Sequence, residues 1–351
     1  MTLKTRIDEF MERFGLRVPI LLAPMAGACP PALSAAVASA GGLGACGALL
    51  FSPAQIASWA QHMRAASGGP FQINLWIPGP DPARDPAAEA NLRSFLAGWG
   101  PPVLPEAADA TPQDFGAQCA ALLDVGPPIV SSIMGLFPPE FVSALKARGM
   151  RWLACITTVA EAQAAEAAGA DAVVAQGMEA GGHRGTFVDR DAEAAQAGLF
   201  ALIPAVVDAV RIPVIATGGI ADSRGVAAAL LLGASAVQIG TGYLRCPEAG
   251  LAPAWADALA HTLPDGTAIT RAFSGRPGRA VRSAYVEGAA AGPPPAPYPV
   301  QRGLTAAMRA SATDVSCMQA WAGQSAALAQ ARPAGALTAE LWAGALSLLH
   351  A

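Results

Sequence analysis

The chain predicts an α/β fold: a closed (β/α)8 barrel of the TIM type with a smaller, mainly helical second domain. Three observations carry this. Short apolar runs alternate with helical stretches eight times between residues 19 and 239. Such alternation belongs to a parallel sheet with helices outside it. The chain has 351 residues, and a barrel of this kind takes roughly 250, which leaves about 100 for an insertion. Finally, the pattern breaks after Tyr243 into polar, Arg-rich and Pro/Gly-rich sequence. An open doubly wound sheet is the alternative architecture, and eight consecutive units favour closure.

The strands read in order as Pro19–Ala23, Leu43–Gly47, Phe71–Ile77, Ile129–Ile133, Trp152–Ile156, Ala172–Ala175, Pro213–Ala216 and Ala236–Ile239. Each is a short continuous apolar run, as expected of strands covered on both faces. Helices are predicted over Pro31–Ala40, Pro53–Ala66, Pro139–Arg148, Val159–Ala168, Leu199–Val210 and Ser223–Leu232. Proline in the first turn and glycine just beyond the last delimit several of them, and Ser52 is placed to cap the second. Gly100–Pro112 reads as irregular cover. Beyond Tyr243 a short helix spans Trp255–Ala260, Gly288–Pro299 reads as an extended loop, and Leu304–Ala310, Cys317–Gln330 and Thr338–Leu349 read as helices. The expected domains are therefore a barrel of residues 1–243 plus 318–351, closed by the final helices, and a smaller unit of 244–317.

Composition narrows the function. Hydrophobic residues make up 53% and charged residues 14%, which excludes a globally disordered chain. A net charge of −4 provides no basic footprint for nucleic acid. Six scattered cysteines form no C-x-x-C pair and no zinc-type cluster, so reduced thiols and no metal site are expected. Val18–Met63 contains no charged residue, yet prolines and glycines break it too often for a membrane span. The mixed-charge N-terminus does not read as a signal peptide. A cytoplasmic protein with no membrane partner is the expectation.

Chemistry concentrates at three glycine-rich loops. Gly177–Gly185 follows the sixth strand and carries His183 among glycines. Of its side chains only the imidazole titrates near neutral pH, which makes His183 the candidate for proton transfer. The flanking Glu179 and Arg184 would push its pKa in opposite directions. His62, His261 and His350 fall on outer helices or helix ends and suit solvated or packing roles. Thr217-Gly-Gly-Ile220 and Gln238-Ile-Gly-Thr-Gly242 follow the seventh and eighth strands, where barrels of this class commonly hold phosphate. Free backbone N–H groups, a helix dipole and the Thr241 hydroxyl suit an anion there. Neither loop is a dinucleotide fingerprint and no P-loop is present. FMN, with one phosphate and one broad ring, fits better. Ala23, Pro24 and Met25 after the first strand offer a close apolar surface for the ring, and the amides of Asn74 and Gln176 can read its polar edge.

These segments together resemble the nitronate monooxygenase family, specifically its class I members. The resemblance runs over nearly the whole chain. It rests on Ala23–Ala28 with Gly41-Gly-Leu-Gly44, on Gln72–Leu75, on Gln176–Gly185 and on Pro213–Ile220. It continues through Gln238–Thr241, Ser274-Gly-Arg-Pro277, Tyr298-Pro-Val-Gln301 and Trp321-Ala-Gly-Gln324. It implies an FMN-containing barrel that oxidises alkyl nitronates with O2 to a carbonyl compound and nitrite. Carried over position by position, Asn74, Gln176, Gly181 with Gly182, Gly218 with Gly219, and Gln238, Ile239, Gly240 and Thr241 would contact FMN. Gln324 would be a further contact on the returning helix, and His183 the catalytic histidine. An apolar pocket lined by Met25, Trp76 and parts of 244–317 is expected. The rival readings are an FMN-dependent NAD(P)H reductase on the same barrel, a non-catalytic flavin-binding protein, and a phosphate-binding barrel without flavin.

Overall fold

A computed structural model describes residues 2–350. Helix α1 (Leu3–Phe14) opens the chain; Thr2 caps its start and Gly15, in the left-handed region, ends it. Then come β1 (Ile20–Leu22), α2 (Pro31–Ser39), β2 (Gly44–Gly47), α3 (Pro53–Ala66), β3 (Phe71–Trp76), α4 (Pro86–Leu96), α5 (Phe115–Val125), β4 (Ile129–Ile133) and α6 (Pro139–Ala147). The middle of the chain supplies β5 (Arg151–Ile156), α7 (Val159–Ala167), β6 (Ala172–Gln176), β7 (Gly182–His183), α8 (Leu199–Ala209), β8 (Val214–Thr217), α9 (Ser223–Leu231) and β9 (Ala236–Ile239). Apart from the two-residue β7, these strands form one parallel sheet in the order β1-β9-β8-β6-β5-β4-β3-β2. A parallel bridge between Leu21 and Leu43 joins its two edges. The sheet is thus a (β/α)8 barrel.

Alternation along each strand sorts the side chains. Ile73 and Leu75 of β3, Trp152 and Ala154 of β5, and Val237 and Ile239 of β9 point outward into the helix layer. Leu21, Leu43, Ile129, Leu153, Val174, Ile215 and Ala236 fill the interior together with Phe10 and Phe14 of α1. The N-terminal helix therefore plugs the barrel at the N-terminal ends of the strands. At that end Asp171 accepts hydrogen bonds from Arg13, Lys146 and the Trp152 backbone N–H at 3.2, 2.5 and 2.8 Å.

The remaining elements are α10 (Pro253–His261), β10 (Thr267–Thr270), β11 (Gly278–Val281), α11 (Ala284–Ala290), α12 (Val300–Leu304), α13 (Ala306–Ser311) and α14 (Ala334–Leu349). Helix α14 packs against α9 and α2, in the place of the barrel's eighth outer helix. Elsewhere this part differs from the sequence expectation. The region read as helical also contains an antiparallel hairpin, β10–β11, to which β7 adds a third strand. The expected helix over 317–330 is irregular, with one 3-10 turn at Ala326–Leu328. Trp321 instead pairs with Ala280 of the hairpin, and a segment held by another strand cannot use its backbone for a helix. The predicted 304–310 helix is two short ones, and the start of the predicted loop 288–299 belongs to α11. Leu92, Leu96 and Ala108 pack in one cluster with Phe273, Tyr285, Val300 and Leu304, so residues 86–109 join the smaller lobe. No helix of the described residues is long and apolar enough to cross a membrane.

Candidate active site

At the C-terminal ends of the strands lies a cavity of about 360 Å³. The inward positions of the strand ends line it: Asn74 and Trp76 of β3, Ser131 and Ile133 of β4, Cys155 of β5, Gln176 of β6, Thr217 of β8 and Gln238 of β9. Loops complete it with Ala23, Pro24, Met25, Gly181, Gly182, His183, Gly218, Gly219, Gly240 and Thr241. The structure thus gathers nearly every site residue read from the sequence around one cavity. Two fall outside. Ile239 alternates with Gln238 and faces the helix layer, so its side chain is turned away. Gln324 lies on the irregular segment, and its amide reaches the Pro264 carbonyl at 3.4 Å rather than the cavity.

Gly218 and Gly219 have φ of 118° and 67°, which L side chains rarely adopt. Gly181 has a different reason for being glycine. A Cβ there would sit 2.5 Å from the Gly323 nitrogen and 2.9 Å from Thr241 Oγ1. Thr241 Oγ1 accepts from the Gly323 N–H at 3.0 Å, and the Gln324 N–H donates to the Glu179 carbonyl at 2.9 Å. The histidine loop, the β9 loop and the C-terminal segment are stitched together here by close backbone approach. Among the described residues, no Asp or Glu lines the cavity.

His183 is set by three neighbours. Backbone pairing of β7 with β11 puts it opposite Gly278. Its ring lies between Trp76 and Trp321, each centroid 4.7 Å away and roughly edge-on. Nε2 is 2.7 Å from Ser274 Oγ. Ser274 also donates to the Arg276 carbonyl at 3.2 Å. In the tautomer where the hydroxyl hydrogen is spent on that carbonyl, Nε2–H donates to Ser274 and Nδ1 keeps its lone pair. Burial, with Arg276 and Arg302 adding like charge, pushes the His183 pKa down to about 3. The imidazole is therefore neutral at physiological pH.

Neither expected neighbour sets that state. Glu179 turns away to cap α8, its carboxylate accepting from the Leu199 N–H at 2.8 Å. Arg184 anchors the loop, donating to the carbonyls of Gln176 and Ala195 at 2.6 and 2.8 Å. Gln176 also holds the loop: its amide donates to the His183 carbonyl at 3.0 Å and accepts from the Gly185 N–H at 2.8 Å. Asn74 donates to Ser131 Oγ at 3.1 Å. His62 and His261 bond to carbonyls of their own exposed helices, and His350 is exposed at the end of α14. Sequence reasoning missed Ser274, Arg276, Arg302 and Trp321 as neighbours of the histidine. Their long sequence separation from residue 183 hides them, although Ser274-Gly-Arg-Pro277 is a conspicuous turn motif.

Comparison with known proteins agrees with this geometry. The family model for nitronate monooxygenase matches residues 8–344. Nitronate monooxygenase of Pseudomonas aeruginosa is 40% identical over 340 residues, covering 94% of this chain and 97% of that one. The nitronate monooxygenase of Paraburkholderia phytofirmans is 39% identical over 352 residues, covering 97% and 96%. Among solved structures, nitroalkane oxidase from Streptomyces ansochromogenes superposes with a TM-score of 0.86 at 38% identity, covering 95% of this chain and 96% of that one. FabK from Thermotoga maritima superposes at 0.76 with 26% identity and 97% coverage of both. A whole-length match of this kind, over a barrel with its glycine loops and histidine gathered at one mouth, means that the chain belongs to the nitronate monooxygenase family of oxidoreductases.

Proposed function

We propose that this enzyme binds FMN and uses O2 to oxidise alkyl nitronates, and neutral nitroalkanes after deprotonation, to a carbonyl compound and nitrite. The observation that carries this reading is a half-buried imidazole held neutral at the wall of a cavity that, among the described residues, no carboxylate lines. A cofactor phosphate fits the backbone cradle of Gly218, Gly219, Gly240 and Thr241, where side chains at the glycines would intrude on their neighbours. Gly181 and Gly182 close that end, and Ala23, Pro24, Met25, Asn74, Gln176 and Gln238 would border the ring. When bound, the flavin supplies the electron acceptor and the reaction with O2.

The chain's own residues bind, orient and handle one proton. Nitroalkanes are acidic at carbon but ionise slowly, so a positioned base is worth about 10²–10⁴ in rate. His183, neutral and steered by Ser274, presents Nδ1 for that proton. Trp76 and Trp321 flank the ring roughly edge-on, and burial with the charges of Arg276 and Arg302 keeps the imidazole uncharged before substrate arrives. A substrate supplied already as the anion needs no base. Hence His183→Asn should slow neutral nitroalkanes at least a hundredfold while preformed nitronates lose about tenfold or less. Nitrite release from both forms of one compound is the assay. Equal losses on the two forms refute the general-base role. Anaerobic bleaching of the flavin by NAD(P)H but not by a nitronate would refute the oxidation reading in favour of a reductase.

A further inference from the structure

Arg302 and Arg309 line the cavity, and Arg271, Arg276 and Arg279 lie on or beside the hairpin that receives β7; each of these except Arg302 has a protein partner. Arg271 pairs with Asp189 and Glu193 at 2.7 and 2.5 Å. Arg276 lies 3.4 Å from Asp189. Arg279 donates to the Met178 carbonyl and to Thr267 Oγ1, both at 2.9 Å. Arg309 donates to Thr305 Oγ1, Gln319 Oε1 and the Arg302 carbonyl at 3.2, 3.2 and 2.8 Å.

Arg302 is different. Its side chain lines the cavity, and among the described residues no hydrogen bond or ion pair engages its guanidinium. It is half-buried, and among the described residues no Asp or Glu lines the cavity it borders. Desolvation pulls its pKa down, and the one opposing influence is Tyr298. A partly desolvated cation without a counter-charge is costly, and an anionic ligand removes that cost. The fork of a guanidinium matches two oxygens on one atom, the geometry shared by carboxylates and nitronates. Arg309 holds the backbone from which Arg302 projects, donating to its carbonyl at 2.8 Å.

We propose that Arg302 is the specificity-determining residue of the substrate subsite, holding the charged N–O oxygens of the nitronate near His183 and selecting the ionised form over the neutral nitroalkane. This rests on the nitronate reading above. One positive charge then does two things: it draws the anion in, and it discourages protonation of the imidazole beside it.

The test uses the flavin-loaded enzyme with Arg302→Met and Arg302→Lys. For propyl-1-nitronate, KM should rise about tenfold or more in the Met variant, while KM for neutral 1-nitropropane should move less than about twofold. The Lys variant should recover most of the nitronate affinity through its charge. Nitrate, a planar monoanion, should compete with the nitronate and perturb the flavin spectrum in the parent, and bind about tenfold more weakly to the Met variant. Parallel KM changes for both substrate forms, or unchanged nitrate binding, overturn the proposal. So does a loss of flavin at equal thermal stability, which would assign Arg302 to the cofactor phosphate. Should the parent oxidise neither nitro compound, the functional reading fails, and the nitrate titration still decides Arg302.

Discussion

Lowering the pH on a neutral nitroalkane probes the state of His183 directly. An unperturbed histidine titrates near 6.5, so at pH 5 only about 3% of it would be neutral and a base-dependent rate would fall about 30-fold from its plateau. Burial and the charges of Arg276 and Arg302 set His183 near 3. At pH 5 about 99% of it then stays neutral. The expected profile of kcat/KM is therefore flat between pH 5 and 8, with the acid limb only below about pH 4. Nitrite release at saturating O2, measured at half-unit steps, is the assay, with flavin content checked at every pH. The same shift has a stability consequence whose sign is opposite to that of a paired histidine. Between about 6.5 and 3 the unfolded chain binds a proton that the folded one refuses. This contribution is complete above pH 6.5 and is lost as the pH falls through that window. An acid limb centred between 6 and 7 that vanishes in His183→Asn would refute the argument. It would mean that the aromatic walls and the arginines do not hold the imidazole uncharged.

Two further substitutions separate the site from its support. Gly181→Ala puts a methyl group 2.5 Å from a backbone nitrogen, so the histidine loop and residues 322–324 must part by roughly 0.9 Å to restore ordinary contact. Flavin retained after desalting should fall at least tenfold, with circular dichroism unchanged; full retention would dissociate this junction from the cofactor. Asp171→Ala removes the acceptor shared by Arg13, Lys146 and the Trp152 backbone at the opposite end of the barrel. The two cations are more than a third exposed and count for little after screening. The unpaired backbone N–H dominates, at about 1–3 kcal/mol, so Tm should drop a few degrees while kcat at 25 °C is unaffected. A changed kcat would show that the two ends of the barrel are coupled.

Some of this protein is determined locally and is legible in the chain. Eight consecutive short apolar runs, most of them followed by a helix, favour a parallel barrel over an open sheet, with every strand covered on both faces. Strand alternation then assigns Asn74, Gln176 and Gln238 to the interior; applied one residue further, it excludes Ile239. The glycine loops after β8 and β9 are legible as candidates for the proposed phosphate cradle because tight turns with free N–H groups are themselves local features. The state of His183 is another matter. Its neutrality comes from Trp76, Ser274, Arg276, Arg302 and Trp321, which lie between 91 and 138 positions away. The adjacent Glu179 and Arg184, by contrast, are diverted to cap a helix and tie a loop. Likewise 317–330 has helical composition, but its backbone is claimed by the hairpin that also receives β7. Periodicity reports what a segment can bury on one face. Electrostatic environment and strand addition depend on which distant groups arrive at the same point, and only the folded chain decides that.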